Sequence, residues 1–131
     1  MQRRFVYVAA AGGATAAQNA LEGDSGRLDF ANLPQIIFTS PQIAVAGLTE
    51  DQARQQGFDV RTRVLALEAI PRPLVNGDTT GLFNLVAETG GGRLLGVSII
   101  ADCAGEVIRS AVLAIKAAMT VEELASTGPH T

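Results

Sequence analysis

Apolar and polar positions change period several times along this chain, and each change marks an element. Between Pro34 and Gly47 two short apolar runs, Ile36–Thr39 and Ile43–Ala46, are hinged at Ser40 and Pro41. Each run is too short for a stable helix and rich in β-branched residues, so both predict strands. Pro41 has no N–H and drives Ser40 towards extended geometry, which interrupts sheet pairing without opening a helix. Over Phe58–Leu67 the pattern alternates: Val60, Thr62 and Val64 point one way, Arg61 and Arg63 the other. That is a half-buried strand. Leu82–Glu88 and Leu94–Ala101 flank Gly90, Gly91 and Gly92, which predicts a hairpin with a loose glycine loop.

Elsewhere the period is helical. Thr49 and Gln52 make a capping box and Gly57 a stop, so a short helix is predicted over 50–56. Asp102 is placed to cap a helix over Cys103–Ala118, whose apolar stripe is Ala104, Ile108, Ala111, Ile115 and Ala118. Glu106, Arg109 and Lys116 lie off that stripe. Thr120 and Glu123 form a second capping box, but Gly128 and Pro129 end the helix almost at once, as though it were cut short. Phe5–Leu21 begins like a strand and ends like an alanine-rich helix, weakened only at Gly12 and Gly13. Pro71, Pro73 and the Asn76-Gly77-Asp78 turn read as chain breaks. Strands joined by tight turns, with helices between, predict an α+β fold: an antiparallel sheet with helices on one face.

Composition sharpens this. The chain has 131 residues, 47% hydrophobic and only 18% charged, so one domain is expected, with more apolar surface than a monomer readily covers. An oligomer interface or a missing partner domain follows as an expectation. A net charge of −3, with Arg3-Arg4 the one adjacent basic pair, argues against nucleic acid. No apolar run reaches membrane-spanning length and nothing resembles a cleavable signal, so no membrane partner is expected and the cytoplasm is the default.

The candidate chemistry is thin. Cys103 and His130 are each the only residue of their kind, so no disulfide and no cysteine–histidine zinc site can be assembled. Cys103 is expected to serve packing or the start of a helix. Asp102 and Glu106, four apart, could share a helix face around a divalent cation, but the helix dipole already explains acids there. The three glycines lack the strand–loop–helix context and the lysine of a phosphate cradle. Arg61 and Arg63 read as a solvated strand face. Thr39 and Ser40 have no base beside them, so a hydrolase triad has no support. No catalytic and no metal residue is assigned.

With those residues in view, the chain resembles the C-terminal dimerisation domain of the pyridine nucleotide–disulfide oxidoreductases, and among them most resembles mercuric reductase. Pro34–Gly47 matches the family's proline, strand, Phe-Thr-x-Pro and strand ending in glycine. Thr49, Glu50 and Ala53 match its capped helix, Gly81–Val86 and Leu94–Gly96 its hairpin, and Ala104–Ile108 and Thr120–Leu124 its two interface helices. Phe5–Ala11, with Ala16–Asn19 behind it, suggests the subtype. The chain departs from the pattern at Asn84, where relatives usually carry lysine, and at Pro73, where they usually carry alanine.

The resemblance implies an antiparallel, about five-stranded sheet paired across a two-fold axis. It implies residues 1–26 as the remnant of the FAD-binding domain, with Phe5–Leu21 its last helix, and 27–131 as the dimerisation domain, truncated at its end. Val6 matches a residue whose backbone touches the flavin, a contact expected to be idle here. Full-length relatives use FAD and NADPH to reduce Hg(II); this chain, lacking their nucleotide-binding domains and redox-active cysteine pair, is expected to hold neither cofactor and to be inactive alone. His130 does not match the family's catalytic histidine. The expected activity is self-association as a homodimer or larger, through Ile108, Ala111, Val112 and Ile115. The alternative is a stand-alone small-molecule-binding module with a pocket lined by Phe5, Tyr7 and Phe38. An enzyme built on Asp78, Asp102 or Glu106 is the third reading, and no spacing supports it.

Overall fold

The computed structural model describes residues 6–23, 26–28 and 33–128; the Tyr7 side chain, Phe5 and His130 lie outside the described set. Five strands form one antiparallel sheet: β1 (Gln35–Ile37), β2 (Gln42–Gly47), β3 (Val60–Ala66), β4 (Leu82–Glu88) and β5 (Leu94–Ala101), in the order β1-β2-β5-β4-β3. Around them are α1 (Val6–Glu22), α2 (Glu50–Gln55), α3 (Pro71–Asn76), α4 (Ala104–Lys116) and α5 (Val121–Ser126), with one 3-10 turn at Leu67–Ala69. The hairpin strands have the boundaries their alternation predicts.

One face of the sheet carries the main core. Ile36, Ala44, Ile99 and Phe83 share that side, because residues opposite each other in an antiparallel ladder point the same way. Helix α4 lies across it and buries Ala104, Ile108, Ala111 and Ala114 against Val97, Ile99 and Ala101. Val121 and Leu124 of α5 join the same cluster. Helix α2 takes the opposite face, where Ala53 packs on Val60, Val86 and Leu95 and closes only that end. Gly96 makes this crossing possible: a Cβ there would stand 1.8 Å from the Leu48 carbonyl oxygen.

Both capping boxes form. Gln52 N–H donates to Thr49 Oγ1 and Thr49 N–H to Gln52 Oε1, and Thr120 and Glu123 repeat the exchange. Glu50 and Arg54 pair at 2.7 Å one turn apart on α2, which holds the carboxyl below its ordinary range and the guanidinium above its own.

Four expectations change. Asp102 does not cap α4. Cys103 occupies the cap position in the left-handed region, with φ 56, and Gln42 Oε1 on β2 accepts from Gly105 N–H at 3.0 Å. The helix stops at Lys116, so Ala118, with φ 53, leaves the stripe and is exposed, and Ala114 takes its buried place. The prolines at 71 and 73 open helix α3 instead of breaking the chain. Pro71 sits at the first helical position, where its missing N–H costs no bond, and Gly77, with φ 74, closes the helix. Val6 and Val8 are helical, in α1, as the resemblance implies and the β-branched run did not.

Candidate functional site

The candidate surface is the outer side of α4. Its inner side is fixed by size: alanine and glycine let the helix approach the sheet, and Ile108 fills the space between. Ile108 is 0% exposed and Ala111 is buried, so neither has surface left for a second chain. Both belong to the chain's own core and fix the helix from inside. Val112 and Ile115 are half-buried along the helix flanks. What remains outside is apolar as well: Val107 is 43% exposed and Leu113 67%, with Ser110 between them. A shallow hollow of about 340 Å³ bounded by Pro34, Arg109, Val112 and Leu113 runs beside this ridge. The sequence carried the signal for Val107 and Leu113 as apolar residues left over once the inner stripe was assigned.

The electrostatics around the ridge are those of an ordinary helix surface. Glu106 lies in the first turn and Lys116 in the last, both complementary to the helix dipole. Asp102 and Glu106 are exposed, and among the described residues no three His, Cys, Asp or Glu side chains gather to hold a cation. Cys103 is exposed. The negative charge of Asp102, then desolvation, a hydrogen bond to Asp102 and the charge of Glu106, push its thiol above the ordinary value. A thiol held protonated is a poor nucleophile and a poor metal ligand at neutral pH.

The remaining candidates are dispersed. Val6 stands almost fully exposed at the start of α1, and Phe38 is 79% exposed, so Phe38 walls no enclosed pocket. Phe5, the Tyr7 side chain and His130 fall outside the described residues. The glycine run closes the β4–β5 turn, where Gly92 N–H donates to the Glu88 carbonyl. Arg61 and Arg63 are exposed on edge strand β3, a position where charge discourages further strand pairing. No described helix is long and apolar enough to cross a membrane.

The family model for the pyridine nucleotide-disulphide oxidoreductase dimerisation domain matches residues 33–130. A mercuric reductase of Streptomyces lividans is 52% identical over 123 residues, covering 94% of this chain and 26% of that protein. One from Lysinibacillus sphaericus is 47% identical over 95% of this chain and 23% of its own length. Among solved structures, LpdA from Mycobacterium tuberculosis superposes with a TM-score of 0.84 at 26% identity, over 95% of this chain and 27% of that one. The copper(II) complex of the HOCl-induced flavoprotein disulfide reductase RclA from Escherichia coli gives 0.80 at 28% identity, over 91% and 27%. The chain therefore spans about a quarter of the length of these relatives. None of these comparisons supports a stand-alone ligand-binding module. The chain belongs to the dimerisation-domain family of the pyridine nucleotide-disulphide oxidoreductases and is homologous to mercuric reductases.

Proposed function

We propose that this chain is the self-association domain of a mercuric-reductase-like flavoenzyme, and that two copies meet about a two-fold axis through the outer ridge of α4. Leu113, 67% exposed on a helix anchored rigidly from behind, carries the reading, with Val107 exposed nearly two turns before it. Burying a leucine of this kind is worth about 2 kcal/mol, and a two-fold axis counts each contact twice. Val112 and Ile115 flank the contact, while Ile108 and Ala111 act from inside by fixing the helix. The domain brings no catalytic group of its own. FAD, NADPH and Hg(II) chemistry belong to the longer relatives, in the cytoplasm, and Val6 would meet flavin only with a flavin-binding domain present. Among the described residues α1 makes no substantial packing contact with the sheet, and this, with a family match that begins at residue 33, supports assigning residues 1–26 to such a preceding domain.

The test is solution mass by light scattering with the absorbance spectrum of the same peak. A colourless dimer or larger assembly is expected, and Leu113→Glu, which leaves the core untouched, should weaken it by about 100-fold or more through a desolvated charge on each side of the axis. A monomeric wild-type chain at high concentration would sink the proposal. Flavin absorbance would overturn the assignment of cofactor binding to the longer relatives alone.

A further inference from the structure

Strand β3 is an edge of the sheet seven residues long, and Arg61–Leu65 are exposed without a break. Its ladder to β4 fixes which backbone groups face outward. The Asp59 carbonyl accepts from Thr89 N–H at 2.9 Å, and Leu67 N–H donates to the Gly81 carbonyl at 3.1 Å. The odd-numbered residues between them therefore turn N–H and C=O towards β4, and the even-numbered ones turn theirs outward. Of these, the Val60 carbonyl accepts from Arg54 Nη2 at 3.4 Å. The outward groups of Thr62 and Val64 have no hydrogen-bond partner among the described residues. Side chains alternate as well: Thr62 and Val64 lie on the α2 side, Arg61 and Arg63 on the α4 side. There the two arginines border a hollow of about 520 Å³, lined also by Leu85 and Ala87 of β4 and by Val121 and Glu122 of α5. Neither arginine makes an ion pair or hydrogen bond among the described residues, and one carboxylate against two guanidiniums leaves the hollow net positive.

We propose that β3 takes an acidic peptide segment as a sixth strand, with carboxylates at alternate positions laid against Arg61 and Arg63. Strand addition satisfies the open N–H and C=O groups of Thr62 and Val64 with main-chain bonds, and every second side chain of the guest then falls on the arginine side. A guanidinium binds a carboxylate through two parallel donors, so this side selects an acidic guest and turns away a basic one. The same charges keep β3 from pairing with a second β3. The antiparallel register that pairs all seven residues sets Arg63 directly against Arg63 of the other copy, and like charges opposite each other in a ladder repel. The edge is thus closed to its own kind and open to a strand of opposite charge. It lies apart from the outer ridge of α4 and does not rest on that reading.

The experiment is fluorescence anisotropy of the full chain with three short, end-capped peptides. One alternates valine and aspartate, one alternates valine and lysine, and the third is the aspartate peptide N-methylated along its backbone, which keeps the charges and loses the main-chain donors. The wild type should bind the first and neither of the others, and amide exchange at Thr62 and Val64 should slow in the complex. The double variant Arg61→Glu, Arg63→Glu changes only exposed side chains and keeps the edge charged, and circular dichroism checks its fold. It should bind the aspartate peptide about ten-fold more weakly or worse and take up the lysine peptide instead. No binding of the aspartate peptide at millimolar concentration overturns the proposal. So does equal binding of the N-methylated peptide, which would mean attraction by charge without a sixth strand, and so does a charge swap that leaves the preference unchanged. Leu113→Glu should bind the aspartate peptide as the wild type does, so a failure of self-association through α4 is read separately from a failure at β3.

Discussion

Helices α1 and α4 are written in nearly the same alphabet, alanine with a few larger apolar residues, yet only one of them is packed. In α4 the alanines at 104, 111 and 114 are buried against the sheet. In α1 the seven alanines between Ala9 and Ala20 are all exposed or only half-covered. The difference lies in the polar residues. Glu106, Arg109 and Lys116 mark an outside on α4, so the helix has one orientation in which everything apolar goes inward. Helix α1 has no charge before Glu22, and its polar residues Thr15, Gln18 and Asn19 are confined to its second half, so nothing marks an outside along its whole length. It is held mainly at its end, where Asn19 exchanges two hydrogen bonds with Gly26 and Gly23 N–H closes on the Asn19 carbonyl. Composition makes both segments helical; only pattern makes one of them part of a core.

The largest test of that contrast is Ile108→Ala. It removes a side chain with no exposure from the centre of the cluster, and should cost about 4 kcal/mol in denaturant unfolding. Leu21→Ala, an equivalent truncation on exposed α1, should change unfolding by less than about 0.5 kcal/mol. If the two variants unfold alike, α1 is packed after all. Next comes Gly96→Ala, beneath α4's sheet. The added methyl meets the Leu48 backbone, which has no side-chain rotamer to move aside, and about 3 kcal/mol should be lost. A neutral result there would mean that the Leu48 crossing yields easily.

How much of this was legible depends on the range of the interaction that decides each feature. The hairpin and both capping boxes are set within a few residues, so alternation, glycine and the Thr-x-x-Gln or Thr-x-x-Glu spacing suffice to find them. The start of α4 is decided by Gln42, distant by 63 residues, and no local reading of Asp102 could have found it. Helix α3 was hidden because proline reads as a break unless it falls at the first helical position. The interface residues divide the same way. Periodicity finds the apolar stripe of α4, but the stripe is what the chain's own sheet consumes, and what a second copy can touch is the residue left over. Val64 shows the limit of alternation: it shares a face with Val60, yet α2 covers only Val60.

A smaller effect comes from Thr49→Ala. Removing the hydroxyl leaves Gln52 N–H without its acceptor at the start of α2, which should cost about 1 kcal/mol. The paired box at Thr120 carries a pH signature in place of a large stability effect. The Thr120 backbone N–H, and then its hydroxyl, bind the Glu123 carboxylate and hold it below its ordinary value. A depressed carboxyl contributes stability above its unfolded pKa and loses it as pH falls through the folded value. Amide protection factors in α5, taken relative to intrinsic exchange at each pH, should therefore fall in acid before those of α4 do, and simultaneous loss in both helices would contradict this.

The smallest effect tells most about α1. Gly13 lies mid-helix, and a Cβ added there meets nothing within 4 Å, so Gly13→Ala changes backbone entropy and nothing else. In a helix interior that is worth about 0.5–1 kcal/mol in favour of the helix. Where the gain appears depends on whether α1 is coupled to the core. An uncoupled helix keeps the gain to itself: amide exchange within α1 should slow about three-fold or more, while the denaturation midpoint of the sheet and α4 stays where it was. A coupled helix passes the gain on, and the global midpoint rises with it. The same substitution repeated in a longer chain, with a preceding domain to pack on, would move the result from the first outcome to the second. Gly13→Ala thus separates a helix that belongs to the dimerisation fold from one that waits for a different neighbour.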